Sequence, residues 1–262
     1  MIKISLTSLC ISGALAFGGV AQADNDHGPD GDSACKSASL PSYAALTSRL
    51  KSVVALGTGN ANGGFGLNMW ASVVDRTGNV CNVTRSGQPG EQWPGSRVIS
   101  AQKANTANAF SLPGLALSTA NLYKAVQPGG SLFGLQESNP VDVNVAYKGP
   151  ASKWGTGEDP MRGSRIGGVN VFGGGLALYD KNGVLVGALG VSGDSSCADH
   201  AIAWRLRHAL NLDNIPGGVV SGTDNITYDA TNGFSQALCG ASPNEALIAN
   251  NLPILYPVGP NP

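Results

Sequence analysis

Charge is scarce in this chain. Its 262 residues carry 16 Lys and Arg against 17 Asp and Glu, for a net charge of −1. A nucleic-acid surface needs clustered basic residues, so that class of partner is excluded. Aromatic residues make up only 6% of the chain, while glycine occurs 37 times. This balance favours turns and close backbone approaches over a large aromatic core. Beyond residue 23 no apolar run is long enough to cross a bilayer. The chain also has no C-x-x-C, no G-x-S-x-G, no P-loop and no H-E-x-x-H. With widely spaced cysteines and no C-x-x-C pair, the sequence argues against a zinc site.

What is present begins with an export pattern. Lys3 gives a positive start, Ile4 to Val20 is uncharged, and Ala21-Gln22-Ala23 precedes Asp24. That is the layout of a signal peptide cleaved after Ala23, with a periplasmic or secreted destination. Cys10 would leave with it. Cys35, Cys81, Cys197 and Cys239 remain, an even number that suits two disulfides in an oxidising compartment. Four cysteines allow three pairings, and spacing does not choose among them.

Residues 24–40 form an acidic, Gly-rich leader expected to be disordered. The main domain is expected over 41–212. Leu46, Leu50, Val53 and Val54 give Tyr43 to Leu56 a helical period. Asn68 to Arg85 reads as a hairpin turning at Thr77-Gly78-Asn79, with Asp75 accepting turn N–H groups. Ser96 to Phe110 reads as a helix whose Ala101, Ala104 and Ala107 stripe lets it lie close to a sheet. A short third helix is expected from Pro113, and a short strand at Phe133 to Leu135. Residues 137–168 read as a long surface insertion. Lys181-Asn182-Gly183 turns a second hairpin between Gly174 and Val191. A last helix is expected from Cys197 to Leu212, with Ser195 or Ser196 as N-cap and Asp199 in a variant capping box. Residues 213–262 form an extension without clear periodicity, which a disulfide at Cys239 would tie down. Strands joined by tight turns and covered by helices make an α+β fold with an antiparallel sheet.

Two segments carry a family likeness. The first is Ala71-Ser72-Val73-Val74-Asp75-Arg76-Thr77-Gly78-Asn79, then Ala101-Gln102-Lys103-Ala104-Asn105-Thr106-Ala107. The second is Gly173-Gly174-Gly175-Leu176, then Gly183 through the run Gly187-Ala188-Leu189-Gly190-Val191-Ser192-Gly193, with Asp199 and Ala203 following. In this order the segments resemble the GlcG/HbpS family of small heme-binding proteins. Leu176 stands where the family usually has proline. The resemblance implies a profilin-like antiparallel sheet flanked by helices and a homo-oligomer. It also implies a small-molecule ligand, with heme as the suspected cofactor and Thr106 near its iron. No C-x-x-C-H is present, so heme would be held non-covalently. Lys103 beside Thr106 offers a cation and a hydroxyl one turn apart, which suits a propionate or an iron-bound oxygen. The alternative is that Lys103 snorkels to solvent and Thr106 packs.

Histidine is the commoner axial ligand, and the chain has His27, His200 and His208. His200, Trp204 and His208 fall on one helical face, which could equally be a solvated one. An enzyme of glycolate- or diol-type metabolism, or an accessory protein without ligand, is the rival reading. The sequence shows no converging acid, base or metal set for the enzyme. A core filled where a pocket is expected would mark the accessory protein.

Overall fold

A computed structural model describes Cys35, residues 39–56 and residues 61–259. The expected signal peptide and most of the acidic leader lie outside the described residues. Helix α1 spans Tyr43–Ala55, with the Ser42 hydroxyl accepting from the Ala45 N–H, and it buries Leu46, Leu50 and Val53. Strands β1 (Trp70–Asp75) and β2 (Val80–Arg85) form the first hairpin. Asp75 Oδ1 accepts from the Thr77 N–H at 2.8 Å and the Asn79 N–H at 3.0 Å. Gly78 takes φ +84° at the turn, a conformation that L side chains resist.

Helix α2 spans Ser96–Phe110. Strands β3 (Gly175–Tyr179) and β4 (Leu185–Ser192) form the second hairpin. The four strands lie in the order β2-β1-β4-β3, each neighbour antiparallel. Alternation along β1 divides the interior. Trp70 and Val74 join Ala101, Ala104 and Ala107 of α2 on one face. Ala71 and Val73 join α1 and the last long helix of the domain on the other. The alanine stripe allows the close contact, and Gly190 of β4 completes it. A Cβ there would collide with the Ser100 carbonyl and the Ala104 nitrogen.

Three expectations change in detail. No α-helix starts at Pro113; the chain instead makes two 3-10 turns, Thr119–Leu122 and Lys124–Val126. Residues 133–135 form turns and not a strand. Residues 137–168 are irregular apart from one helical turn, α3 (Val143–Ala146), and a 3-10 turn. This segment does more than cover the surface, because Ala146, Met161 and Ile166 are fully buried against α2 and the sheet. A buried, bidentate Arg97–Asp159 pair at 2.9 and 2.5 Å pins it to α2.

Helix α4 spans Ser196–Ala209, and Ser195 is its N-cap, accepting from the Ala198 N–H. Beyond it, the chain contains a helix that the sequence pattern hides: α5, Glu245–Leu255. The Glu245 carboxylate accepts N–H groups of Cys239, Gly240, Ala241 and Ser242, which organises the loop entering α5. Pro253 lies inside the helix and has no N–H to give the Ala249 carbonyl. Asn225 Nδ2 donates to that carbonyl instead, at 2.8 Å. The cysteines pair as Cys35–Cys81 and Cys197–Cys239. A buried Arg207–Asp224 pair, two contacts of 2.7 Å, ties residues after α4 back onto it.

Candidate functional site

Lys103 and Asp199 come from helices on opposite faces of the sheet. They meet beside Gly174, between the end of β4 and the start of β3. Lys103 Nζ lies 2.6 Å from Asp199 Oδ2 and donates to the Val191 carbonyl at 3.3 Å. It also sits 4.9 Å from the centre of the Phe172 ring. Gly174 is required there, since its φ is +121° and an added Cβ would be 3.0 Å from Nζ. The Lys103 side chain is 0% exposed and that of Asp199 2%. Burial pushes Asp199 up to about 6, against the lowering influence of Lys103 beside it. Burial also lowers Lys103 from its usual value, although Asp199 opposes the shift. Each member is thus drawn toward its neutral form by loss of solvent.

Thr106 is fully buried one turn further along α2. Its hydroxyl donates to the Gln102 carbonyl at 2.8 Å and accepts from the Asn170 N–H at 2.9 Å. Lys103 does not snorkel, and both residues have internal partners. The Asp199 carboxylate also accepts from the Asp194 N–H at 3.0 Å, so it serves the entry to α4 and the ion pair together.

His200 follows Asp199 and is fully buried. Its Nε2 accepts from the Ile226 N–H at 3.0 Å. Asn225 Oδ1 lies 3.3 Å from the same nitrogen and shares the Ile226 N–H at 2.9 Å, while Nδ1 has no partner among the described residues. Burial lowers His200 to about 4, so the ring is neutral at pH 7. Trp204 is buried too, 6.2 Å from His200 between ring centres, so the expected solvated face does not form there. Only its far end reaches water. His208 is about a quarter exposed, with Nδ1 2.7 Å from Asp213 Oδ2 and its ring edge-on to Tyr256. His27 lies outside the described residues.

Residues after α4 roof this layer. Gln236 Oε1 accepts from the Gly173 N–H at 2.8 Å, and its Nε2 donates to Ser196 Oγ at 2.8 Å. Asn225 and Ile226 cover His200, and the Cys197–Cys239 disulfide fixes the roof to the first turn of α4. Sequence reasoning placed Asp199 in a motif without foreseeing its ion pair. Asn225 and Gln236 gave no signal, because they sit in a stretch without periodicity. The structure therefore brings Lys103, Asp199 and His200 into one buried polar layer of ammonium, carboxylate and imidazole. Thr106 lies alongside on α2. An open groove of about 450 Å³, lined by Leu40, Ala45, Asp180 and Leu212 among others, includes none of them.

Comparison with known proteins places the chain. Residues 51–206 match a family described as "Haem degrading protein HbpS-like". No curated protein matches. Among solved structures, Klebsiella pneumoniae protein ORFY is 26% identical, covering 65% of this chain and 90% of its own, with a TM-score of 0.42. A PduOC:heme complex is 25% identical over 64% of this chain and 93% of its own, with a TM-score of 0.43. A double mutant of Streptomyces reticuli HbpS is 20% identical over 76% and 96%, with a TM-score of 0.40. The family match spans more than half of the sequence and contains β1 to β4, α2 and most of α4. This chain belongs to the HbpS-like family.

Proposed function

We propose that the chain is an exported protein that binds heme, or a related tetrapyrrole, non-covalently, in sequestration, delivery or sensing. The observation that carries this reading is the family match over residues 51–206, whose description names haem. The donor chemistry agrees. An ammonium suits a propionate, an imidazole suits iron, and Lys103 and His200 supply both within one layer. Room is another matter. Lys103, Thr106 and His200 are fully buried, Lys103 against Asp199, Thr106 against Asn170 and His200 Nε2 against Ile226, so a tetrapyrrole does not fit among them.

Export is supported by two disulfides, which persist in oxidising compartments. No helix among the described residues is long and apolar enough to cross a membrane. Assembly into a homo-oligomer belongs to the same reading. The filled core at Lys103 and Thr106 favours a second one, an accessory protein without ligand. An absorption titration of the mature protein with hemin separates them, using wild type, Lys103→Ala, Thr106→Ala and His200→Ala. The heme reading expects a saturable Soret shift, weakened in at least one variant. No saturable shift under oxidising or reducing conditions would overturn it.

A further inference from the structure

The misfit between donors and room has a specific origin. The layer over His200 and Gly173 is roofed by a strap, Asn225 to Cys239, anchored at both ends. It packs through Ile226 against Ala120 and Ala249, with Asn121 Nδ2 donating to the Asn225 carbonyl at 2.9 Å. At its start, Asp224 is locked to Arg207. At its end, Glu245 holds the Cys239 and Gly240 N–H groups. Between the anchors, Asp229 to Phe234 is mostly exposed. Across its middle, the strap is held by the Ile226 bond to His200, by Gln236 bridging Gly173 and Ser196, and by Lys124 on the Ala230 and Asn232 carbonyls. One covalent bond, Cys197–Cys239, latches it to α4. Beneath it, His200 Nδ1 is a fully buried polar atom without a partner among the described residues. A native interior rarely leaves such a group unsatisfied without a reason.

We propose that residues 225–239 are a lid latched by the Cys197–Cys239 disulfide, and that reducing this bond opens the layer around His200 to a ligand. The identity of that ligand rests on the heme reading above. The latch is placed to be released from outside. Cys239 is part-exposed, whereas Cys197 is buried. A dithiol reductant attacks Cys239 Sγ, forms a mixed disulfide and expels Cys197 as a thiolate in the first turn of α4. There the helix N-terminus stabilises negative charge. The reductant's second thiol then displaces Cys239. One protein disulfide becomes two thiols by gaining two electrons and two protons, and the reductant becomes its own disulfide. With the strap free, the Ile226 N–H leaves His200 Nε2, and the ring gains an outward-facing acceptor.

The test uses the full mature chain and a Cys197→Ala/Cys239→Ala variant, which leaves Cys35–Cys81 intact. Two readouts are compared: amide hydrogen exchange and hemin titration. The lid predicts that exchange at Gly173 and Ile226 accelerates at least about ten-fold more than exchange at Ala104 in α2, which reports only the global loss of stability when the disulfide is removed. It predicts the same in wild type given a dithiol, and no such change when only Cys35→Ala/Cys81→Ala is made. Hemin affinity should rise about ten-fold with opening, and adding His200→Ala should cancel the gain. Unchanged exchange at Ile226, or acceleration there no greater than at Ala104, would show a fixed staple and overturn the lid. Saturable hemin binding of equal affinity by wild type and variant would also overturn it, since the ligand would then sit elsewhere. Opening by exchange without hemin binding in either form supports the lid and defeats the heme reading.

Discussion

Replacing Lys103 by methionine keeps the length of the side chain but strands Asp199. The loss should depend on pH in a way that packing alone cannot imitate. Asp199 has a folded value of about 6 against an ordinary 3.8. A carboxyl raised on folding contributes stability below about pH 4, and that contribution is lost as pH rises through the folded value. In wild type the loss is complete slightly above pH 6, because Lys103 holds the carboxyl down. Without Lys103, the folded value moves further up. The extra penalty then opens above pH 6 and grows by about 1.4 kcal/mol per pH unit. By pH 8 it reaches about 3 kcal/mol, the range expected when one partner of a buried pair is removed. Urea unfolding of wild type and Lys103→Met at pH 5.5 and pH 8 measures the difference. Adding Asp199→Asn, which keeps an acceptor for the Asp194 N–H, should recover most of the loss at pH 8. An equal loss at both pH values would refute the reasoning and assign the effect to packing.

Other outcomes follow from single contacts. Losing Cys197–Cys239, whose cysteines are 42 residues apart, should cost roughly 4 kcal/mol by loop-closure entropy, read as a lower denaturant midpoint in the double alanine variant. Arg207→Met leaves Asp224 buried without its bidentate partner and should lose about 3–5 kcal/mol; calorimetry checks this, and a loss below about 1 kcal/mol would contradict the buried pair. Gly190→Ala drives a methyl into the α2 backbone and should cost about 1–3 kcal/mol or more as overpacking, visible in thermal unfolding, whereas Gly114→Ala, with open space around it, should leave that transition close to wild type.

The two hairpins and the helices α1, α2 and α4 were legible because local chemistry fixes them. Asn-Gly and Thr-Gly-Asn turns, strand alternation and the alanine stripe each act over a few residues. Helix α5 was not legible. Its buried Glu245, Ala249 and Leu252 have helical spacing, but Pro253 and the Asn250-Asn251 pair obscure it. The long segment 137–168 read as surface because its polar and Gly-rich sequence hides three anchors, Ala146, Met161 and Ile166. Lys103, Thr106 and His200 could be named from motif and residue type, yet their burial could not. It depends on Asp199 and Phe172 at Lys103, on Asn170 at Thr106 and on Asn225 and Ile226 at His200, whose contacts are long-range and carry no periodic signal. The pairing of the cysteines was open for the same reason.

The most direct test of the central claim is whether the mature chain retains hemin through gel filtration, measured by native mass spectrometry with and without a dithiol reductant. The account predicts one hemin per chain, with higher occupancy after reduction. A chain that elutes free of hemin under both conditions would contradict it.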